Sequence, residues 1–154
     1  MKRFFFVIST AIFFCLPLFA INAGAESKAD KYLGEKEMCL ETARIKETRI
    51  LDDQTILFEE RGGAFYINRL PVRSPGLKIA GGFSYSTSIA KLCRQDSIKV
   101  ISPGSAPTST ALLGEFVQFK EKGTVDKVEK LLTDGLLKEL VAEGAFKEAF
   151  SEKK

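Results

Sequence analysis

The sequence contains no histidine and no tryptophan. Without histidine it lacks the side chain most used for acid–base chemistry near neutral pH and the commonest transition-metal ligand. A Ser-His-Asp or Cys-His arrangement is therefore impossible. Charge of one sign is also lacking, with 23 basic residues facing 20 acidic ones. Two of the basic residues, Lys2 and Arg3, open an apolar leader. Removing them from the 23 leaves 21 against 20, a net charge of +1. Such a balance gives no general pull toward nucleic acid or an anionic membrane. Cysteine is scarce, at three residues, and one of them, Cys15, lies inside the leader.

What the sequence does have begins with that leader. Met1-Lys2-Arg3 precedes an apolar run over 4–21, and Asn22-Ala23-Gly24-Ala25 supplies a small-x-small ending. This three-part pattern is that of a cleaved secretory signal over 1–25. The competing reading is a retained anchor, since the run is just long enough to span a bilayer. Pro17 and the Ala-x-Ala site favour cleavage, with a periplasmic or secreted product that keeps no stable membrane insertion. Cys39 and Cys93 then remain as a pair, most simply a structural disulfide outside the cytoplasm.

The mature chain divides into a charged flexible lead-in over 26–38, a β-rich domain over 39–120 and a helical tail over 121–154. Strands are expected at 45–51, 55–59 and 64–68. Asp52-Asp53-Gln54 supplies a turn between the first two, and Gly62-Gly63 a tight hairpin between the next. Pro71, Pro75 and Gly76 make 70–78 a loop. Further strands are expected at 83–86, 97–101 and 115–119, with a short helical turn over 88–93 and a mobile polar loop over 102–110. From Thr124 to Phe150 the residues Val125, Val128, Leu131, Leu132, Leu136, Leu140 and Phe150 fall close to helical spacing, interrupted by Asp134-Gly135. The fold class is thus mainly β (α+β): a small antiparallel barrel or rolled sheet of five or six strands with a C-terminal amphipathic helical tail.

Few residues suggest chemistry. Ser88 and Lys91 form a conceivable serine–lysine pair, although Thr87-Ser88-Ile89-Ala90-Lys91 reads as a helix start. Asp52 and Asp53 read as turn residues, and Glu59 and Glu60 as solvated ones. No calcium loop, phosphate-cradling loop or zinc-ligand spacing is present, so no catalytic residue, metal or cofactor is assigned. Tyr66, Asn68, Arg69 and Tyr85 form a possible ligand surface, if alternate strand residues bring them to one face.

The ordered series Cys39, Ile45, Asp52-Asp53-Gln54-Thr55-Ile56-Leu57-Phe58, Gly63, Tyr66, Asn68-Arg69-Leu70-Pro71, Pro75-Gly76-Leu77, Phe83-Ser84-Tyr85, Leu92-Cys93, Asp96, Ile98, Val100 and Leu113-Gly114-Glu115-Phe116 resembles a family of small exported Gram-negative bacterial proteins of unknown function. The likeness covers about residues 39–119. It implies export and a shared fold, and carries no activity. Relatives of this pattern often have cysteine where Ser74 stands and near Ala111, and the joint absence here implies that those two pair in the relatives. Together these features point to a non-catalytic envelope binding or interaction module. Its partner, an envelope protein, would be met through the helical tail or a sheet edge. The alternative is a small periplasmic enzyme using carboxylates or the Ser-Lys pair.

Overall fold

The computed structural model describes residues 27–87, 89–101, 104 and 109–146. Residues 1–26, where a signal is expected, Ser88, most of 102–108, and 147–154 at the end of the expected tail lie outside the described residues. The described chain forms ten strands in three antiparallel sheets, two short helices, α1 (Lys28–Tyr32) and α2 (Leu77–Ala80), and a C-terminal helix. The central sheet has five strands: β1 (Leu33–Glu37), β3 (Ile45–Asp52), β4 (Thr55–Glu60), β5 (Phe65–Arg69) and β10 (Phe116–Phe119), in the order β1-β10-β5-β4-β3. A two-stranded sheet pairs β2 (Cys39–Glu41) with β7 (Lys91–Cys93). A three-stranded sheet sets β8 (Ser97–Val100) between β6 (Phe83–Tyr85) and β9 (Ser109–Leu112). None of these sheets closes into a barrel, so the rolled-sheet alternative is the one that forms.

Both faces of the central sheet are covered. On one, Ile50, Ile56, Phe58, Tyr66 and Phe116 pack with Leu40, Leu92, Ile98 and Val100 of the smaller sheets. On the other, Leu51, Leu57, Phe65, Ile67, Val117 and Phe119 pack with the C-terminal helix. β4 is consequently buried along its whole length. That explains its unbroken apolar run Ile56-Leu57-Phe58, the pattern of a strand covered on two sides.

The helix itself has three parts: α3 (Val125–Leu131), a π-helical turn (Leu132–Leu136) and α4 (Leu137–Ala142). Thr124 caps the start by accepting from the Lys127 amide. Gly135, with φ +132°, is the non-helical residue that produces the kink. The helix buries Val125, Val128, Leu132, Leu136, Leu137 and Leu140.

Three local expectations differ from what forms. The lead-in is ordered: Ser27 caps a short helix α1 (Lys28–Tyr32), and β1 adds to the edge of the sheet beside β10. Leu33 anchors it in the helix-side core, while Glu35, Lys36 and Glu37 stay exposed. The segment expected as a helical turn before Cys93 contains strand β7 instead. Pairing overrides local preference there, because the Cys39–Cys93 disulfide joins residues directly opposite in the β2–β7 register. The Gly62-Gly63 hairpin is not a two-residue turn. The Gly63 amide donates to the Glu60 carbonyl, the Glu60 amide donates to Ala64, and only Gly63 of the two glycines has positive φ, at +77°. This is a three-residue loop closed by a bulge.

Candidate functional site

The four residues expected to share a ligand surface do not meet. Side chains alternate along β5, so Tyr66 and Asn68 face the smaller sheets while Arg69 faces the helix. Tyr66 is buried, and its hydroxyl donates to Glu37 Oε1 at 2.8 Å. Burial, reinforced by the Glu37 carboxylate, pushes the phenol up to about 12. Asn68 is fully enclosed, and its amide makes two 2.9 Å bonds with Gly114, donating to the carbonyl and accepting from the N–H. A side chain at Gly114 would overlap the Arg69 carbonyl oxygen, so glycine is required for this close approach. Tyr85 lies on β6, in a different sheet, tilted against Phe83. Tyr66 and Asn68 are thus core residues, and the strand period of two separates them from Arg69.

The carboxylates are committed elsewhere. Asp52 Oδ1 accepts the Gln54 amide at 2.6 Å, closing the β3–β4 turn. Asp53 accepts the Lys78 amide and the Arg73 guanidinium, and these bonds hold its carboxyl below the usual range. Glu59 and Glu60 are not solvated as expected: both are buried, because β4 is the covered strand next to the edge. Glu59 meets Lys46 at 2.6 Å, and Glu60 meets Arg44 at 2.9 Å. Burial raises the Glu60 carboxyl; Arg44 opposes this, and Glu37 and Glu41 add to it. The Ser88–Lys91 pair cannot be placed, since Ser88 lies outside the described residues. Among the described residues no cluster of His, Cys, Asp or Glu is arranged to hold a metal ion, and no helix is long and apolar enough to cross a membrane.

The surfaces expected to meet a partner are partly used up. The apolar stripe of the tail is spent on the sheet. Of the two outer strands of the central sheet, β1 is short, bulged and charged. On β3, the Lys78 ammonium donates to the Ile50 carbonyl at 2.7 Å, and Lys46, Glu47 and Arg49 line the strand. Charges and irregularity of this kind discourage strand addition.

A cleft of about 380 Å³ lies where the kinked helix crosses the end of the β3–β4 hairpin. Leu51 forms one side, and Leu132, Leu137 and Val141 form the other. Asp52, Arg69, Thr133 and Lys138 supply its polar groups. The π-helical turn makes the helical wall, with the Thr133 hydroxyl donating back to Glu129 and Lys130 carbonyls. Such back-bonding bends helices. Arg69 is held in place by neutral acceptors: Nη1 donates to Thr55 Oγ1 at 3.1 Å and Nη2 to Gln54 Oε1 at 2.9 Å. Gln54 is itself anchored on the Leu70 carbonyl. Arg44, Arg49, Arg73 and Arg94 each face a carboxylate. Arg61 is exposed at the hairpin, and Arg69 alone combines a cleft, a fixed pose and no ion-pair partner among the described residues.

The fold and site define a disulfide-locked, three-layer β-rich domain with one oriented guanidinium in an apolar-walled cleft. No family model, no curated protein and no solved structure matches the chain.

Proposed function

We propose that the mature protein is a non-catalytic binding module of the periplasm or the extracellular space, and that its ligand enters the cleft at Arg69. The observation that carries this reading is the guanidinium held by Gln54 and Thr55 with no carboxylate in an ion pair with it among the described residues. Arginine fixed in this way presents a planar donor fork without further ordering cost. The disulfide is compatible with an oxidising compartment and so supports export. The resemblance to exported Gram-negative proteins belongs to the same reading. Ser74 and Ala111, the places where the resemblance implies a cysteine pair in relatives, both line a cleft between the loop after β5 and strand β9. An enzyme using carboxylates finds less support, because Asp52, Asp53, Glu59 and Glu60 are each engaged in turns or ion pairs.

The test is amide shift mapping of the isotope-labelled mature protein against small-molecule fractions of envelope extract. Shifts centred on Leu51, Asp52 and the 132–141 segment, and lost in Arg69→Met, are expected. Shifts elsewhere, or identical shifts in the variant, would refute the site. An intact mass beginning at Glu26 checks the cleavage on which the localisation rests.

A further inference from the structure

The polar groups of the cleft narrow the ligand class, an inference that rests on the reading of the cleft as a ligand site. Arg69 is partly buried, and its guanidinium has five N–H donors, of which one on each terminal nitrogen is spent on a neutral oxygen. Three of the five donors are left unspent, and the group keeps its charge, which suits a carboxylate. Lys138 adds a second cation from the exposed face of α4. Asp52 adds one negative charge, with Oδ1 already taken by the Gln54 amide. Two cations and one anion leave the site one positive charge in excess, which suits a monoanion and disfavours a dianion. Thr133 adds a hydroxyl, already donating to backbone carbonyls of its own helix, and the side chains of Leu51, Leu132, Leu137 and Val141 are aliphatic. At about 380 Å³ the cleft lies near the lower end of small-molecule sites, which run from roughly 300 to 1,000 Å³.

We infer that the cleft binds a small amphipathic monocarboxylate, its carboxylate seated on Arg69 and Lys138 and its aliphatic chain against Leu51, Leu132, Leu137 and Val141. Charge fixes the orientation: the head lies at the strand end of β5, and the chain runs under the π-helical turn. Asp52 disfavours a phosphate monoester at the head position.

Three probes that share one alkyl chain test the assignment: octanoate, octanol and octyl phosphate, each titrated into the mature protein below its aggregation concentration. Octanoate should bind most tightly and shift the amides of Leu51 and the 132–141 segment. Arg69→Met should weaken octanoate by about tenfold or more, the usual worth of a hydrogen-bonded charge, and leave octanol unchanged. Lys138→Met, on an exposed helical position, should weaken octanoate by a smaller factor and guards against a folding defect at Arg69. If octanoate and octanol bind the cleft equally and both variants are indifferent, the monocarboxylate is wrong while the cleft stands as a site. Tighter binding of octyl phosphate also overturns the monocarboxylate. If no probe moves the cleft amides, both the ligand class and the cleft reading fail.

Discussion

Replacing Asn68 gives the sharpest test of the packing. Its amide is fully buried and serves both backbone polar groups of Gly114, the N–H and the carbonyl, at 2.9 Å each. Asn68→Leu keeps most of the volume and removes both partners. Each buried backbone group left unpaired costs about 1–3 kcal/mol. Two of them give roughly 2–6 kcal/mol, from which the new apolar contacts with Ile56 and Phe116 subtract a part. The expected net loss is about 3 kcal/mol, a large share of a typical stability of about 5–15 kcal/mol. In urea, where small domains unfold with a slope of about 1–3 kcal/mol/M, the midpoint should fall by about 1–3 M with the slope unchanged.

Asn68→Asp sharpens the test. A neutral aspartic acid can still donate to the Gly114 carbonyl and accept from its N–H; an aspartate has no donor and places its charge against a carbonyl oxygen. Burial therefore raises the folded-state pKa of this aspartate above the unfolded value of about 3.9. A raised folded value means that stability is fully present below about pH 3.9 and is lost as pH rises through the folded pKa. The variant should approach the wild type in acid and fall behind it at neutral pH. The reasoning is refuted if Asn68→Leu lies within about 0.5 kcal/mol of wild type, the range of ordinary surface substitutions. It is equally refuted if the deficit of Asn68→Asp is the same at every pH.

Cys39→Ser with Cys93→Ser should lower stability by about 4 kcal/mol on the loop-entropy account, since the bridge spans 54 positions. Reduced wild type should unfold at the same urea midpoint as this double variant, and a midpoint equal to the oxidised protein would contradict the account. Glu60→Gln tests the buried carboxyl through pH. Burial raises the folded pKa of Glu60 above its ordinary value of 4.5, so the wild type carries this contribution below that value and loses it as pH climbs through the folded pKa. The glutamine variant should lose that part of the slope and melt higher than wild type at neutral pH. The ion pair it gives up is with a half-exposed Arg44 and is worth little. A lower melting temperature at neutral pH would show that the pair outweighs the burial cost.

Local signals made the central hairpins legible. Asp52-Asp53-Gln54 and Gly62-Gly63 carry their own turn chemistry, and the apolar runs between them have the length and composition of strands. Thr124 and the stripe from Val125 to Leu140 marked the helix, and Asp134-Gly135 marked its kink. Strands set by distant pairing were not legible. Three of the five residues of β1 are charged, and only its pairing with β10, about eighty positions away, makes it a strand. β7 is three residues whose partner is chosen by the disulfide. Glu59 and Glu60 look solvated in the sequence because their counter-ions, Lys46 and Arg44, lie on the chain before and at the start of the neighbouring strand. Charge alone does not reveal burial when the compensating charge is elsewhere.

The site was half legible for the same reason. Arg69 can be picked out, but Tyr66 and Asn68 group with it in the sequence although they lie three and one positions away on β5. A residue one position away on a strand faces the opposite side, and here the sides belong to different layers. Asn68 locks the layer of smaller sheets through Gly114, while Arg69 opens onto the helix. Leu132, Leu137 and Val141 gave no hint of a cleft, because an apolar stripe reads as core, and Leu132 and Leu137 are core residues that also border the cleft. The Asp134-Gly135 interruption was the available sign: the helix kinks at Gly135, and residues on both sides of the kink border the cleft. Stability and recognition are thereby assigned to opposite faces of one strand, and substitutions at Asn68 and Arg69 should separate them.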